Sequence, residues 1–484
     1  MKRSLLTMAL LAGSMTALMA ETQVFVYDYL GEVDGVSDNG HYAAISDTDN
    51  GFAYLWDSEK PEDLEDISFI SDPDLPTSMT ASGTLVYDVS DNGIVVGAIK
   101  FGNKQNPAYY ADGKWNLLPM DPNAMNTNEA VAITPDGKII AGYHFIFDPS
   151  THTDVKGRFY PCQWYLQEDG SYELKSYNTL KLPDHQGFFP HAQSPDGRVV
   201  AGTVYCGIGS NIPAIMKDGE YVIFDEVETR WEPWMFRGKW FAGQETLPDG
   251  TVKQYWVDDV NDPNVVLFPE EYINGYRDAE IRLEGMFVGC DDKGNLYGAR
   301  SLVANVTEDG AGDVHTKACI YNYEDDTWYY EEGVDMFVAG VGKDKLFTIS
   351  GDVLEGNDIT NARDAYDIVT DYSISGIYRC SVDAKTLGGI AYEIHPGTGQ
   401  PIFYPFMIMV DGGSYDPSSV QCVAGNPKEA LIIVADGHIE VVNASQVAVY
   451  DMNGKLMGNT AVTSVEAGIY VVVADGKSYK ICVK

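Results

Sequence analysis

The sequence predicts an all-β protein of stacked four-stranded sheets, ending in a smaller β-sandwich. Three observations predict it: a strand-turn-strand unit recurs along most of the chain, an aromatic hairpin follows most copies, and helical patterning is scarce. Among 484 residues there are 31 tyrosines, 48 glycines and 12% aromatics, and no long Ala/Leu/Glu/Lys pattern follows residue 20, so the composition leans to strands. Length alone leaves the domain count open, because some all-β folds far exceed an average domain.

The first element, Met1 to Ala20, carries Lys2 and Arg3, an apolar run from Leu5 to Leu11 and small residues up to Ala20. It reads as a secretory signal peptide cleaved after Ala20. No cysteine sits at that junction, which argues against a lipoprotein anchor. No later stretch holds about 18 consecutive apolar residues, so no membrane-spanning helix is expected.

Residues 21–413 hold the repeat. Its clearest copy is Glu129 to Tyr143, EAVAITPDGKIIAGY. Pro135 presets φ for the turn, Asp136 tolerates the next position, and Gly137 returns the chain as a hairpin. The run Ile139 to Gly142 suits a strand covered on both faces. In register with Gly137 stand Gly40, Gly93 and Gly197 in strong copies, then Gly238 and Gly294 in copies without the proline. Two weaker copies, around Asp344 and Ala384, lack the turn glycine. These eight registers recur at intervals of about 40 to 60 residues, the length of one propeller blade.

The second hairpin supplies the other half of each sheet: FAYLWD from Phe52, PAYYADGKWNLL from Pro107, PCQWYLQEDGSYEL from Pro161, PAIMKDGEYVIF from Pro213, KQYWVDD from Lys253, KACIYNYEDDTWYY from Lys317 and PFMIMVDGG from Pro405. A lone four-stranded sheet cannot bury both faces, so several stack around an axis. The expectation is a β-propeller of eight blades, or seven if Val334 to Tyr372 is an insertion; a β-solenoid or a pair of sandwiches is the remaining alternative. Whether Gln23 to Tyr29 adds a closing strand to the last blade is open.

After a linker at 414–424, residues 425–484 change rhythm. Short alternating strands are separated by Asp436-Gly437, Asn453-Gly454 and Asp475-Gly476, which is the pattern of a small β-sandwich.

The formal net charge of -40 repels phosphate backbones, so nucleic acid is not an expected partner. The acids are spread through turns and read as a solvated exterior. The seven cysteines include no Cys-x-x-Cys pair, so no zinc site is expected. Pairs such as Cys290 with Cys319 or Cys380 with Cys422 are possible disulfides, with buried thiols as the alternative.

The Ser/Pro-Asp-Gly or Ser-Asp-Asn-Gly turn, followed by Val-Val-Ala-Gly or Val-Val-Gly-Ala and an aromatic strand, resembles the extracellular HAF repeat. It is similar, less closely, to propeller repeats of TolB type. The resemblance covers roughly Val24 to Gly413 and implies a propeller without naming an activity. It departs from the HAF pattern by lacking the His-Ala-Phe strand. The C-terminal module resembles the sorting domain of the type IX secretion system, through Val447 to Lys455, Gly468-Ile469-Tyr470 and the end Lys480 to Lys484; an immunoglobulin-like adhesion module is the alternative. The resemblance implies export through the periplasm to the outer-membrane surface or beyond, and removal of this module. Asn453, Gly454, Gly468, Tyr470 and Lys480 would then serve recognition by the secretion machinery.

No nucleophile elbow, His-Glu-x-x-His, Walker loop or dinucleotide fingerprint is present, so no catalytic residue, metal or cofactor is expected. With 72 acidic residues, any acid/base pair needs a shared cleft to be meaningful. His144, His152, His185 and His191 lack ligand spacing. Arg230, Trp231 and Trp234, crowded around Pro233, are the candidate ligand-binding residues, since exposed tryptophans stack on sugars or anchor proteins and arginine forks a carboxylate. The expected function is binding of an extracellular protein or glycan; the alternative is a glycoside hydrolase or lyase acting in the central cleft.

Overall fold

In a computed structural model, the described residues are 22–28, 31–47, 50–69, 82–147, 157–177, 187–205, 211–217, 219–223, 235–237, 240–246, 252–256, 264–267, 282–290, 295–304, 313–322, 324–331, 338–342, 345–348, 350–355, 358–414, 431–435, 438–442, 444, 447–451, 455–460, 462–465, 468–474 and 477–483. The chain divides into two compact units, Met1–Ser414 and Tyr415–Lys484.

The first unit is a succession of four-stranded antiparallel sheets, the second, third and fourth of which are joined by short parallel bridges, Thr127 opposite Gln105 and Phe159 opposite Gly187. Strand β1 (Gln23–Val26) stands apart and is taken last. The first sheet is β2 (Glu32–Val36), β3 (Tyr42–Asp47), β4 (Phe52–Asp57) and β5 (Leu64–Asp66). The second is β6 (Gly83–Val89), β7 (Val95–Phe101), β8 (Lys104–Ala111) and β9 (Lys114–Leu117), and the third is β10 (Ala124–Ile133), β11 (Ile139–Phe147), β12 (Gly157–Leu166) and β13 (Tyr172–Ser176). Then come β14 (Gly187–Gln193), β15 (Val199–Tyr205), β16 (Asn211–Lys217) and β17 (Glu220–Ile223), followed by β18 (Met235–Arg237), β19 (Trp240–Thr246), β20 (Val252–Trp256) and β21 (Asn264–Leu267). Strands β22 (Arg282–Cys290), β23 (Leu296–Ala304), β24 (Asp313–Asn322) and β25 (Thr327–Glu331) precede β26 (Val338–Gly342), β27 (Lys345–Thr348), β28 (Asp352–Glu355) and β29 (Asp358–Asn361). The last sheet is β30 (Ser373–Cys380), β31 (Thr386–Ile394) and β32 (Pro401–Met409), with β1 added antiparallel along β32, Gln23 opposite Met409 and Val26 opposite Phe406.

First strands touch in the order β2, β6, β10, β14, β18, β22, β26, β30, and β30 touches β2 again. The sheets therefore close into a propeller ring, and the N-terminal strand completes its last sheet.

The alternation within strands explains the packing. In β3, Ala43 and Ile45 join Met407 and Trp56 in a core toward the last sheet, while Ala44 joins Val86, Val95 and Trp115 in a core toward the second. Each middle strand is thus covered on both faces, which is why its sequence is a continuous apolar run and not an alternating one. Trp56 and Trp164 are fully buried, and each satisfies its indole N–H on a proline carbonyl, Pro61 at 3.2 Å and Pro119 at 2.7 Å.

The turns repeat one hydrogen-bond scheme. Ser37, Thr134, Ser194 and Ser381 each accept the backbone N–H five residues on, and Ser90 the one four residues on, all at 3.0 Å, and each donates its hydroxyl to the Asp or Asn two residues on. The turn aspartates therefore shape the turn. Ala384 holds φ 59° where Gly40, Gly93, Gly137 and Gly197 stand in the stronger copies, so this copy keeps the left-handed turn without the glycine. Neighbouring turns are also tied across sheets: the Val382 N–H donates to Asp38 O at 3.0 Å, Asn39 N–H to Asp91 Oδ1 at 2.9 Å, and Asp91 N–H to Pro135 O at 2.9 Å.

The strand order bears on one of the cysteine pairs left open beside buried thiols. Cys290 lies on β22 and Cys319 on β24, with β23 paired between them. Two strand spacings are roughly 9 to 10 Å, beyond the reach of about 7 Å between bridged Cα atoms. Cys162 is a buried free thiol.

The second unit has a three-stranded sheet, β33 (Leu431–Ala435), β34 (His438–Val442) and β37 (Val462–Ser464), and a four-stranded sheet, β36 (Leu456–Gly458), β35 (Val447–Asp451), β38 (Gly468–Ala474) and β39 (Lys477–Val483). Ile439, Val441, Val449, Tyr470 and Val472 form the core of this small sandwich. Among the described residues, no helix is long and apolar enough to cross a membrane.

Candidate functional site

A cleft of about 330 Å³ opens between the outer parts of the second and third sheets. Its walls are Phe69, Tyr109, Trp115 and Tyr172, with Asn116 and Ser171 supplying polar groups. The local sequence builds it. Asp112 and Gly113 both take positive φ, 52° and 76°, giving the two-residue turn that folds β9 back on β8 and sets Trp115 opposite Tyr110. Trp115 is then anchored by its indole N–H on Ile67 O, and Tyr110 by its hydroxyl on Glu65. Tyr109, one residue along, projects to the other side of the strand and meets Tyr172 edge-on at 4.8 Å between ring centroids. Tyr172 is held in turn by its hydroxyl on Gly137 O.

Burial first, and the Asp112 carboxylate second, push the Tyr109 phenol upward, so it remains a neutral donor at physiological pH. No carboxylate lines the cleft. Such a surface can stack on an apolar ring face and hydrogen-bond its hydroxyls, but it offers no general acid or base.

Carboxylates converge instead on the inner strands. Asp34 is the extra residue of a bulge in β2, between the paired Val33 and Gly35, and Tyr87 is the extra residue of the matching bulge in β6. Asp34 is pushed up to about 7, chiefly by burial and then by Glu32, against the pull of Ser46 and Arg379. Ser46 lies near that carboxyl, yet neither Asp34 Oδ2 nor Ser46 Oγ has a well-aligned hydrogen bond. Asp88 is also pushed up to about 7 by burial, although the Val89 and Ile133 N–H groups each donate to it at 2.9 Å. Glu129 on β10 is raised by burial against the hydroxyls of Tyr143 and Tyr87 and the charge of Lys100. The Arg379 guanidinium donates from Nε to Asp34 O at 2.7 Å, joining β30 to the same group.

The two described histidines of the sequence reading sit in separate surroundings. His144 packs edge-on against Trp164 at 5.5 Å between centroids, and His191 Nε2 lies 3.1 Å from Thr203 Oγ1. Burial pushes both down to about 4, so both stay neutral.

Arg230, Trp231 and Trp234 lie outside the described residues, as do His152, His185, Asn453, Gly454 and the Met1 to Ala20 segment with its Ala20 junction. Gly468 starts β38 opposite Val483, Lys480 pairs with Val471, and Tyr470 is buried in the small unit's core. The cleft residues Tyr109, Trp115 and Tyr172 were visible in the sequence as members of two aromatic hairpins. Nothing local indicated that successive hairpins would face one another.

No family model and no curated protein matches the sequence. The structure is similar to the Dos1 propeller, with 10% identity over 81% of this chain and 95% of that one and a TM-score of 0.45. It is also similar to an oligogalacturonate lyase from Vibrio parahaemolyticus, at 11% identity over 81% of this chain and 96% of that one, with a TM-score of 0.41. A prolyl endopeptidase matches at 14% identity and a TM-score of 0.40, over 92% of this chain and 55% of its own, so the chain spans about half of that enzyme. The fold assignment rests on the strand pairing described above.

Proposed function

We propose that this chain is a secreted or surface-displayed binding protein with an eight-bladed propeller, and that the aromatic cleft between its second and third blades takes a sugar ring of an extracellular glycan. Export through the periplasm by a type IX route, with the C-terminal sandwich as the sorting module, belongs to the same proposal. The observation that carries the binding reading is the cleft lining: aromatic walls, an amide and a hydroxyl, and no carboxylate. The test is a glycan array with the full chain, followed by calorimetry on the best ligand. Tyr109→Ala removes a partly buried wall of the cleft that also packs against the core, so a circular dichroism check of the fold accompanies it, and it is expected to weaken binding about tenfold or more. An array without a hit, or a Tyr109→Ala protein that binds unchanged, would overturn the reading.

A second reading is favoured by one specific observation. Asp34, the bulge residue of β2 whose Oδ2 has no aligned hydrogen bond, is pushed up to about 7 by burial and so keeps part of its proton near neutral pH, as a general acid for glycosidic cleavage requires. Polysaccharide turnover by the wild-type chain that disappears in Asp34→Asn would select this reading over the first.

A further inference from the structure

On the first sheet, three side chains with metal-ligating atoms meet where β3 begins and β4 ends. His41 precedes β3, Asp57 closes β4, and Glu59 follows two residues later. One ligand atom from each lies within 4.8 Å of the others. We propose that His41, Asp57 and Glu59 form a binding site for a divalent transition-metal ion such as Zn²⁺.

The geometry is close to what such an ion needs. Tetrahedral zinc with bonds of about 2.0 to 2.2 Å separates its ligand atoms by roughly 3.4 Å, so only small side-chain movements are required. His41 Nε2 already stands 3.1 Å from Asp57 Oδ1. With its proton on Nδ1, the neutral imidazole presents the Nε2 lone pair to the metal, and Asp57 and Glu59 each supply a carboxylate oxygen.

The three groups are also positioned in advance. The His41 backbone N–H donates to Asn39 Oδ1 at 2.9 Å, and its ring stacks on Tyr42 at 3.9 Å between centroids. Tyr42 pairs with Asp57 in the sheet, and the Ser58 N–H donates to His41 O at 2.9 Å, which fixes the two segments together. The Glu59 N–H donates to Asp57 Oδ1 at 2.8 Å, so the second carboxylate leaves the strand at a set angle. An imidazole nitrogen beside two carboxylates suits zinc, cobalt or manganese better than calcium, which prefers an all-oxygen shell. Glu59 is exposed and His41 is buried, so the site would open to solvent on one side and leave a coordination position for water.

The experiment uses the full chain, stripped with chelator, titrated with Co²⁺ by visible absorption and with Zn²⁺ by calorimetry. One saturable equivalent is expected, with affinity falling roughly tenfold or more in Glu59→Gln and in His41→Gln. Glu59 is exposed, so Glu59→Gln keeps the fold, and its circular dichroism will verify that. Asp169→Asn, at an exposed turn elsewhere, should bind as the wild type does. Absence of a saturable equivalent, or unchanged affinity in Glu59→Gln, would overturn the proposal.

Discussion

Gly142 has no room for a methyl group. A Cβ there would lie 2.1 Å from Glu129 O and 2.8 Å from the Trp164 ring. The reason is the bulge in β10 between Ala130 and Ala132, which pushes the neighbouring carbonyl toward β11. Gly97 meets the same situation opposite the β6 bulge, where a Cβ would lie 1.9 Å from Leu85 O. Gly142→Ala is therefore expected to cost about 3 kcal/mol of unfolding free energy, measured by urea denaturation. Gly113→Ala is the control: its φ is 76° but nothing lies within 4 Å of its missing Cβ, so backbone strain alone should cost about 1 kcal/mol. The sequence showed that a small residue belongs in the Val-Val-Gly-Ala position. It could not show the bulge, because the extra residue is defined by its partner strand. Asp34, Tyr87 and the acidic cluster they belong to were hidden for the same reason.

At the level of the strand, β1 completes the last sheet. Without Gln23–Val26, β32 presents its backbone groups to water, and the core loses the partly buried Val24, Phe25 and Val26. Deleting these four residues is expected to lower the thermal midpoint by several degrees and to populate oligomers, read by calorimetry and size-exclusion chromatography, because a bare edge pairs with other chains. The hairpins were legible in the sequence because their turn chemistry is local. The closing strand was left open at Gln23 to Tyr29, since its partner β32 lies at the far end of the same unit's sequence. Of the cysteine pairs left open beside buried thiols, Cys290 and Cys319 fall in one repeat, yet a whole strand separates them.

For the molecule as a whole, acidity governs the response to pH. Asp34 and Asp88 sit near 7 in the folded chain, above the value of about 4 of an unfolded aspartate. The folded state then holds protons that the unfolded chain has released, so stability is highest below about pH 4 from these groups and is lost as pH rises toward 7. Self-repulsion at a formal charge of -40 acts in the same direction. The urea midpoint is expected to fall between about pH 4 and 7, and Asp34→Asn to reduce that slope by up to about 1.4 kcal/mol per pH unit. Added salt screens the exposed charges but leaves the buried share, which separates the two causes. The pairing of Gln23 with Met409 also sets a schedule for biosynthesis. The seal is among the earliest parts of the ring to leave the ribosome, and its mate is among the latest. A nascent chain that stops short of Met409 can raise individual sheets but cannot shut the circle, so interrupted translation yields fragments with a raw edge, fit for degradation or clumping and not for use.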